Sequence, residues 1–266
     1  MDIVQAVILS IVEGATEFLP VSSTGHMILA SYMMKIHDQA FVKTFTIAIQ
    51  LGAIAAIVML YYRRFLQGRQ IYIKLGIAFI PTAIVGFLAY KTIKTYLFNP
   101  LGVSLALVAG GIVLIAIDKL VVARESRYAA PEDISYKNAF FIGLIQCLSM
   151  IPGVSRAAAT IIGGVFNGLD KKQATEFSFL LAVPTMLAAT GYDLLKTDAV
   201  VGSAEIMLLA CGFIGAFLSA WVAVMLFVRF VQNHGFKVFG YYRIVIGIVF
   251  LLYLTMSGPA SLLKNL

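Results

Sequence analysis

The 266-residue chain is 61% apolar and only 12% charged, with a mean hydropathy of +0.93 and a net charge of +7. A soluble domain carries roughly 25% charged residues and about 45–50% apolar ones, so soluble Rossmann, barrel and bundle folds are excluded and an integral membrane protein is indicated. The basic excess is expected in cytoplasmic loops, not on nucleic acid.

Met1 to Gln5 carries no basic segment, and the apolar stretch behind it meets Glu13 without a small-residue cleavage site, so a cleaved signal peptide is not expected. Ile3–Leu19 and Ser22–Met34 are too short or broken to span a bilayer and meet at Pro20. Three spans follow at Thr44–Tyr62, Leu75–Tyr90 and Thr95–Ile117, the second extended by a snorkelling Lys74. Lys137–Ile151 and Ser155–Gly168 form a second short pair around Pro152. Three more spans close the chain at Phe177–Tyr192, Ile206–Val228 and Ile244–Leu263, the first extended by a pore-facing Glu176. Two helices around a proline break with no polar loop between them read as a re-entrant hairpin. Cys147 and Cys211 lie in apolar runs without metal-ligand spacing and read as small core residues.

The pairs belong to an internal repeat. Leu19-Pro20-Val21-Ser22-Ser23 resembles Ile151-Pro152-Gly153-Val154-Ser155 at an offset of 132, and Thr44-Phe45-Thr46 matches Glu176-Phe177-Ser178 at the same offset. Ala78-Phe79-Ile80 then matches Gly212-Phe213-Ile214 at 134, and Gly111-Ile112-Val113-Leu114 matches Gly247-Ile248-Val249-Phe250 at 136. A single membrane domain over 1–266 is expected, with repeats over about 1–125 and 134–266. Three spans per half is odd, so the halves are inverted. The fold class is thus an all-α integral membrane protein of six transmembrane helices plus two re-entrant helix hairpins in an inverted-topology internal repeat. One side carries thirteen Lys and Arg, including Arg63, Arg69, Arg124, Lys171 and Arg243, against six on the other, including Lys196 and Lys264. The richer side should be cytoplasmic, with both termini and the first hairpin on the outer side.

The polar chemistry concentrates in the hairpins. Glu13 and Glu17, four apart, share a helix face and repel unless a cation sits between them. Ser22 or Ser23 stands at an N-cap position, Thr24 follows, and His26 lies one turn in. The second hairpin offers Ser155, Arg156 and Thr160, and Arg156 requires a carboxylate or phosphate partner, Glu13 or Glu17 among them. Two helix N-termini, an arginine and several hydroxyls converging near the midplane suit phosphate, with Glu13 and Glu17 holding Mg²⁺ or Ca²⁺. A lipid-accessible site of this kind suits a lipid diphosphate, the parts of a phosphoanhydride hydrolase being present. A lipid-phosphate flippase or small-anion transporter uses the same architecture but needs no nucleophile beside an imidazole.

Glu13-Gly-Ala-Thr-Glu17-Phe-Leu-Pro-Val-Ser-Ser23-Thr-Gly-His26 and Pro152-Gly-Val-Ser155-Arg156-Ala-Ala-Ala-Thr160-Ile161 resemble the two signatures of the bacterial undecaprenyl-diphosphatase (bacitracin-resistance) family. Ile49-Gln50-Leu51-Gly52 and Glu176-Phe177-Ser178 through Pro184 add support. The resemblance implies removal of the terminal phosphate of undecaprenyl diphosphate in the bacterial inner membrane, at a site open to the outer face. It recycles the lipid carrier for peptidoglycan and other polymers and confers bacitracin resistance. It also implies that Glu13 and Glu17 bind metal or assist proton transfer, and that Ser155, Arg156 and Thr160, with Ser22 and Thr24, hold the phosphates. Ser23 activated by His26 is the preferred nucleophile, with His26 itself or a metal-activated water as rivals. A homodimer is an allowed assembly. The family pattern continues Ser-Arg-Ser-Gly, whereas Ala157 and Ala158 follow Arg156 here; activity is expected to survive.

Overall fold

The computed structural model describes residues 1–66, 68–96, 99–120, 126–197 and 202–256, all helical or irregular, with no strand among them. Among the described residues twelve α-helices run in order: α1 (Ile3–Glu17), α2 (Ser23–Met33), α3 (Ala40–Ala48), α4 (Gln50–Leu60), α5 (Tyr62–Leu66), α6 (Arg69–Tyr96), α7 (Pro100–Leu120), α8 (Tyr136–Gln146), α9 (Arg156–Phe166), α10 (Lys171–Leu195), α11 (Ser203–His234) and α12 (Lys237–Met256). Six stretches of the described residues are long and apolar enough to cross a bilayer: Ala40–Leu60, Arg69–Ile93, Pro100–Lys119, Lys171–Leu195, Ser203–His234 and Lys237–Met256. The protein is therefore a multi-pass membrane protein of helices. Thr95 and Tyr96 close α6, so the third span starts at Pro100, five residues later than its sequence boundary. Arg124, Lys264 and the end of the last expected span lie outside the described residues.

α1 starts at a capping box in which Asp2 accepts from the Gln5 N–H and Gln5 bonds back to Asp2. Its 15 residues reach only about 22 Å, short of a bilayer core. Its buried stripe, Ala6, Leu9, Ser10, Glu13, Gly14 and Glu17, holds the polar residues, while Val4, Val7, Ile8 and Ile11 are exposed. That inside-out pattern suits a helix with lipid on one side and a polar interior on the other. α1 lies against α11, and Gly14 sets the approach: a Cβ there would stand 2.3 Å from the Ala216 carbonyl oxygen. This close crossing gives the glycine after Glu13 its physical reason.

α7 and α12 cross through Gly111 and Gly240, where a Cβ on either would meet the other's carbonyl oxygen at 2.6 or 2.7 Å. Two expectations about charge are corrected here. Glu176 faces no pore but pairs with Arg64 at 3.0 Å, beside an Arg64–Glu132 contact at 3.3 Å. Arg243 is no loop cation: it is fully buried within α12, so it drops out of the charge count that orients the chain.

Candidate active site

Both hairpin turns end in a serine N-cap. Ser22 Oγ accepts from the Gly25 N–H at 3.4 Å and Ser155 Oγ from the Ala158 N–H at 3.2 Å. The two caps adopt left-handed backbone, φ +70° and +77°, a strained choice for non-glycine residues. The caps correspond at an offset of 133, one residue from the alignment of the sequence motifs, which makes Ser23 and Arg156 the matching first residues of α2 and α9.

Glu17 joins these two residues. Its Oε2 accepts from Ser23 Oγ at 2.5 Å and its Oε1 from Arg156 Nη2 at 3.1 Å. Arg156 also donates through Nη1 to the Ser178 carbonyl at 3.1 Å, and its guanidinium lies over the Phe18 ring. Glu13 is buried beside Glu17 within reach of Arg156, and its Oε1 has no partner. One arginine thus faces two carboxylates.

The other expected residues take different places. His26 Nδ1 lies 2.8 Å from the Ser22 carbonyl oxygen, so that nitrogen carries the proton; Nε2 then accepts from the Tyr242 hydroxyl at 2.8 Å. Ser23 therefore pairs with Glu17 and not with His26, as its hydroxyl proton is directed at the carboxylate. Thr160 is fully buried and bonds Ser178 Oγ at 2.6 Å and the Arg156 carbonyl at 2.9 Å, bracing the segment that holds Arg156. Ala157 and Ala158 are buried in the core, so the departure from the Ser-Gly pattern removes nothing from the cavity wall.

A cavity of about 430 Å³ opens on this cluster. Glu17, Ser22, Ser23, Thr24, Ser155 and Arg156 line its polar end, with Met186 Sδ 3.4 Å from Arg156 Nη2, and Phe79, Phe87, Tyr90 and Tyr192 line its apolar end. Glu13, His26 and Thr160 do not line it. The proline-containing helices α6 and α10 form the long walls, where Thr82 and Thr185, each directly after a proline, accept from Gln146 Nε2 at 2.7 and 3.4 Å. At the far end Tyr90 donates to Asp193 at 2.6 Å. A polar head and an apolar slot match an amphiphilic ligand. Sequence reading overlooked Gln146, Tyr242 and Arg243. The charge-free run starts only at Ile244, although Gly240 and Gly247, seven apart, mark a helix face that passes beside Arg243.

The chain matches the family model "Bacitracin resistance protein BacA" over residues 6–249. It is 50% identical over 256 residues to an undecaprenyl-diphosphatase of Wolinella succinogenes, covering 96% of this chain and 100% of that protein. Similar proteins of the same name occur in Bdellovibrio bacteriovorus, 48% identical across 96% of this chain and 97% of the relative, and in Aquifex aeolicus, 47% identical across 92% and 96%.

Proposed function

The chain belongs to the bacitracin resistance protein BacA family, and on that premise we propose how its buried cluster works. Its function is that of an undecaprenyl-diphosphatase, a membrane hydrolase that removes phosphate from undecaprenyl diphosphate, recycles the cell-wall lipid carrier and gives bacitracin resistance. The observation that carries the site reading is Glu17, one carboxylate bonded to both the Ser23 hydroxyl and the Arg156 guanidinium at the polar end of the cavity.

The diphosphate head enters between the N-termini of α2 and α9, whose free N–H groups and dipoles favour an anion. Arg156 neutralises the charge on the transferring phosphoryl group. Ser23 Oγ gives its proton to Glu17 Oε2 while bonding to the terminal phosphorus, and the bond from that phosphorus to the bridging oxygen breaks, releasing prenyl phosphate. Glu17 passes that proton to the departing prenyl phosphate; water then cleaves the phosphoserine, giving a proton to Glu17, which returns it to Ser23 Oγ as the phosphorus–Oγ bond breaks and inorganic phosphate leaves. His26 holds the first turn of α2 through Ser22 and Tyr242. A flippase would need charge compensation but no hydroxyl bonded to a base.

Glu13 and Glu17 fit a hard divalent cation, because the partnerless Glu13 Oε1 stands beside a carboxylate with only one arginine to offset both. Among the described residues no cluster of three or more Asp, Glu, His or Cys exists, so phosphate and water oxygens would complete the shell, as Mg²⁺ prefers. When bound, such an ion supplies charge neutralisation at the phosphate oxygens. Phosphate release from a C55 or C15 prenyl diphosphate by purified protein is expected to fall at least about 10-fold in EDTA and return with Mg²⁺ or Ca²⁺. Undiminished release in EDTA would remove the metal from this reading.

Several features support re-entrant hairpins and an inverted repeat. α8 and α9 have 11 residues each, about 16 Å, and α1 is little longer. α1 packs on α11 as α8 packs on α6, which exchanges the two halves. At the α7–α12 crossing, Gly111 meets Gly240 and Gly247 meets Ser104, and an offset of 136 converts one pair into the other. The proposed setting is the inner membrane, with the site and both termini on the outer side and a homodimer as the assembly. A cysteine at Lys196 is expected to label from outside in intact cells and one at Arg69 only after permeabilisation. The reverse pattern would invert the orientation.

A further inference from the structure

The reaction above uses Arg156 and leaves the other buried arginine without a role. Arg243 is the largest fully buried side chain among the described residues and has no carboxylate partner among them. A guanidinium taken out of water without a counter-ion is costly, so its donors must all be met. They are met by five backbone carbonyls: Nη1 donates to Pro20 at 3.1 Å and Val154 at 2.9 Å, Nη2 to Gly153 at 2.7 Å and Ala106 at 3.2 Å, and Nε to Leu107 at 3.4 Å.

We propose that Arg243 is a positioning residue for phosphate removal, fixing the distance between the two hairpin turns and hence between Ser23 and Arg156. This rests on the reading of the site given above. Pro20 lies in the first turn, two residues before the Ser22 cap; Gly153 and Val154 lie in the second, directly before the Ser155 cap. Ser155 Oγ adds a longer direct tie, donating to the Leu19 carbonyl of the first turn at 3.5 Å, whereas Arg243 bonds carbonyls of both turns and does not itself line the cavity, which it borders only through Gly153. α7 supplies the rigid third anchor.

The fold makes room for this group deliberately. A Cβ on Gly110 would lie 2.0 Å from Nη2 and 2.7 Å from Cζ, so only glycine leaves space for the guanidinium. At the 136 offset Arg243 corresponds to Leu107, the residue whose carbonyl it bonds. A side chain at that meeting point of the halves reaches both turns at once, and one arginine serves where two would collide. A lysine has the charge but three donors on a single point, not a planar five-donor fork.

Displacing catalytic groups by about 1 Å costs on the order of 100-fold in turnover, while affinity for the prenyl chain is untouched. Arg243→Met is therefore expected to lower kcat about 100-fold per folded molecule, with KM for a C15 diphosphate within about threefold, and Arg243→Lys to lower it about 10-fold. A kcat within threefold of the parent, a loss appearing in KM alone, or a loss accounted for by a smaller folded fraction overturns the proposal. If the Met variant fails to fold, the Lys variant decides by the same criteria. Ser23→Ala run in parallel separates the two readings: an active Ser23→Ala protein sinks the site assignment, whereas an inactive one beside a parent-like Arg243→Met sinks only the positioning role.

Discussion

Ser23→Ala is expected to lower phosphate release by at least about 10³-fold, the largest effect of any single-atom deletion in the protein. The Ser23 hydroxyl is both a cavity-lining oxygen and the donor to Glu17 Oε2, so its removal deletes the attacking atom and strands its base. Binding should survive, because Arg156, the helix N-termini and the apolar end of the cavity are unchanged; a prenyl phosphonate should bind within about threefold of its parent affinity. The same assay on His26→Asn distinguishes the candidate bases. His26 is bonded to Ser22 and Tyr242, so a loss of about 10-fold from a loosened turn is expected. A loss equal to that of Ser23→Ala, with Glu17→Gln still active, would return the role of base to His26. An active Ser23→Ala protein would leave water or His26 as the nucleophile.

Arg156→Met is expected to cost both activity and stability. On activity, losing the group that meets the developing phosphoryl charge costs about 10²–10³-fold. On stability, in metal-free buffer Glu17 and Glu13 would remain buried with no cation opposite them. Breaking one side of a buried pair is worth about 3–5 kcal/mol, and the Arg156 and Glu17 side chains are 10% and 7% exposed, enclosed enough for that range to apply. The unfolding temperature in detergent should therefore fall clearly. Adding Glu17→Gln should restore part of the stability and none of the activity, since it removes the uncompensated charge and the base together. Independent, additive losses in the double variant would show that the pair is not coupled.

The two effects share one origin. Glu17 is held between the Ser23 hydroxyl and the Arg156 guanidinium, which come from the two short helix pairs, 139 residues apart for the Arg156 contact. Each hairpin alone offers a serine-capped helix N-terminus, a feature common in proteins without catalytic roles. Brought together, they place positive dipoles, a carboxylate and a hydroxyl around one point in a region of low dielectric, where such groups interact far more strongly than in water.

The residues of the site were legible because charge is scarce. With 12% charged residues, a carboxylate or arginine inside an apolar segment stands out, and Glu13, Glu17 and Arg156 did. The hydroxyls after Pro20 followed from cap chemistry, and the six spans from length and hydropathy. Pairing was not legible. Sequence proximity favoured His26 as the partner of Ser23, three residues along the same helix, yet a serine at the first helical position bends back to the end of α1 and meets Glu17. Thr160 read as a phosphate ligand by its place beside Arg156, but its face of α9 turns to α10 and Ser178.

Arg243 shows the limit most clearly. From the sequence it is a cation at the edge of a span, indistinguishable from the loop residues that orient a membrane protein. Composition, hydropathy and motif spacing by themselves determined a membrane-embedded helical protein, the segments that carry its chemistry and the class of ligand that chemistry suits, because the cost of polar groups in hydrocarbon is a local property of each segment. Which carboxylate pairs with which hydroxyl, which arginine lines the cavity and which holds the backbone were decided only by tertiary structure, because those contacts depend on where glycines at 14, 110, 111 and 240 let distant helices approach.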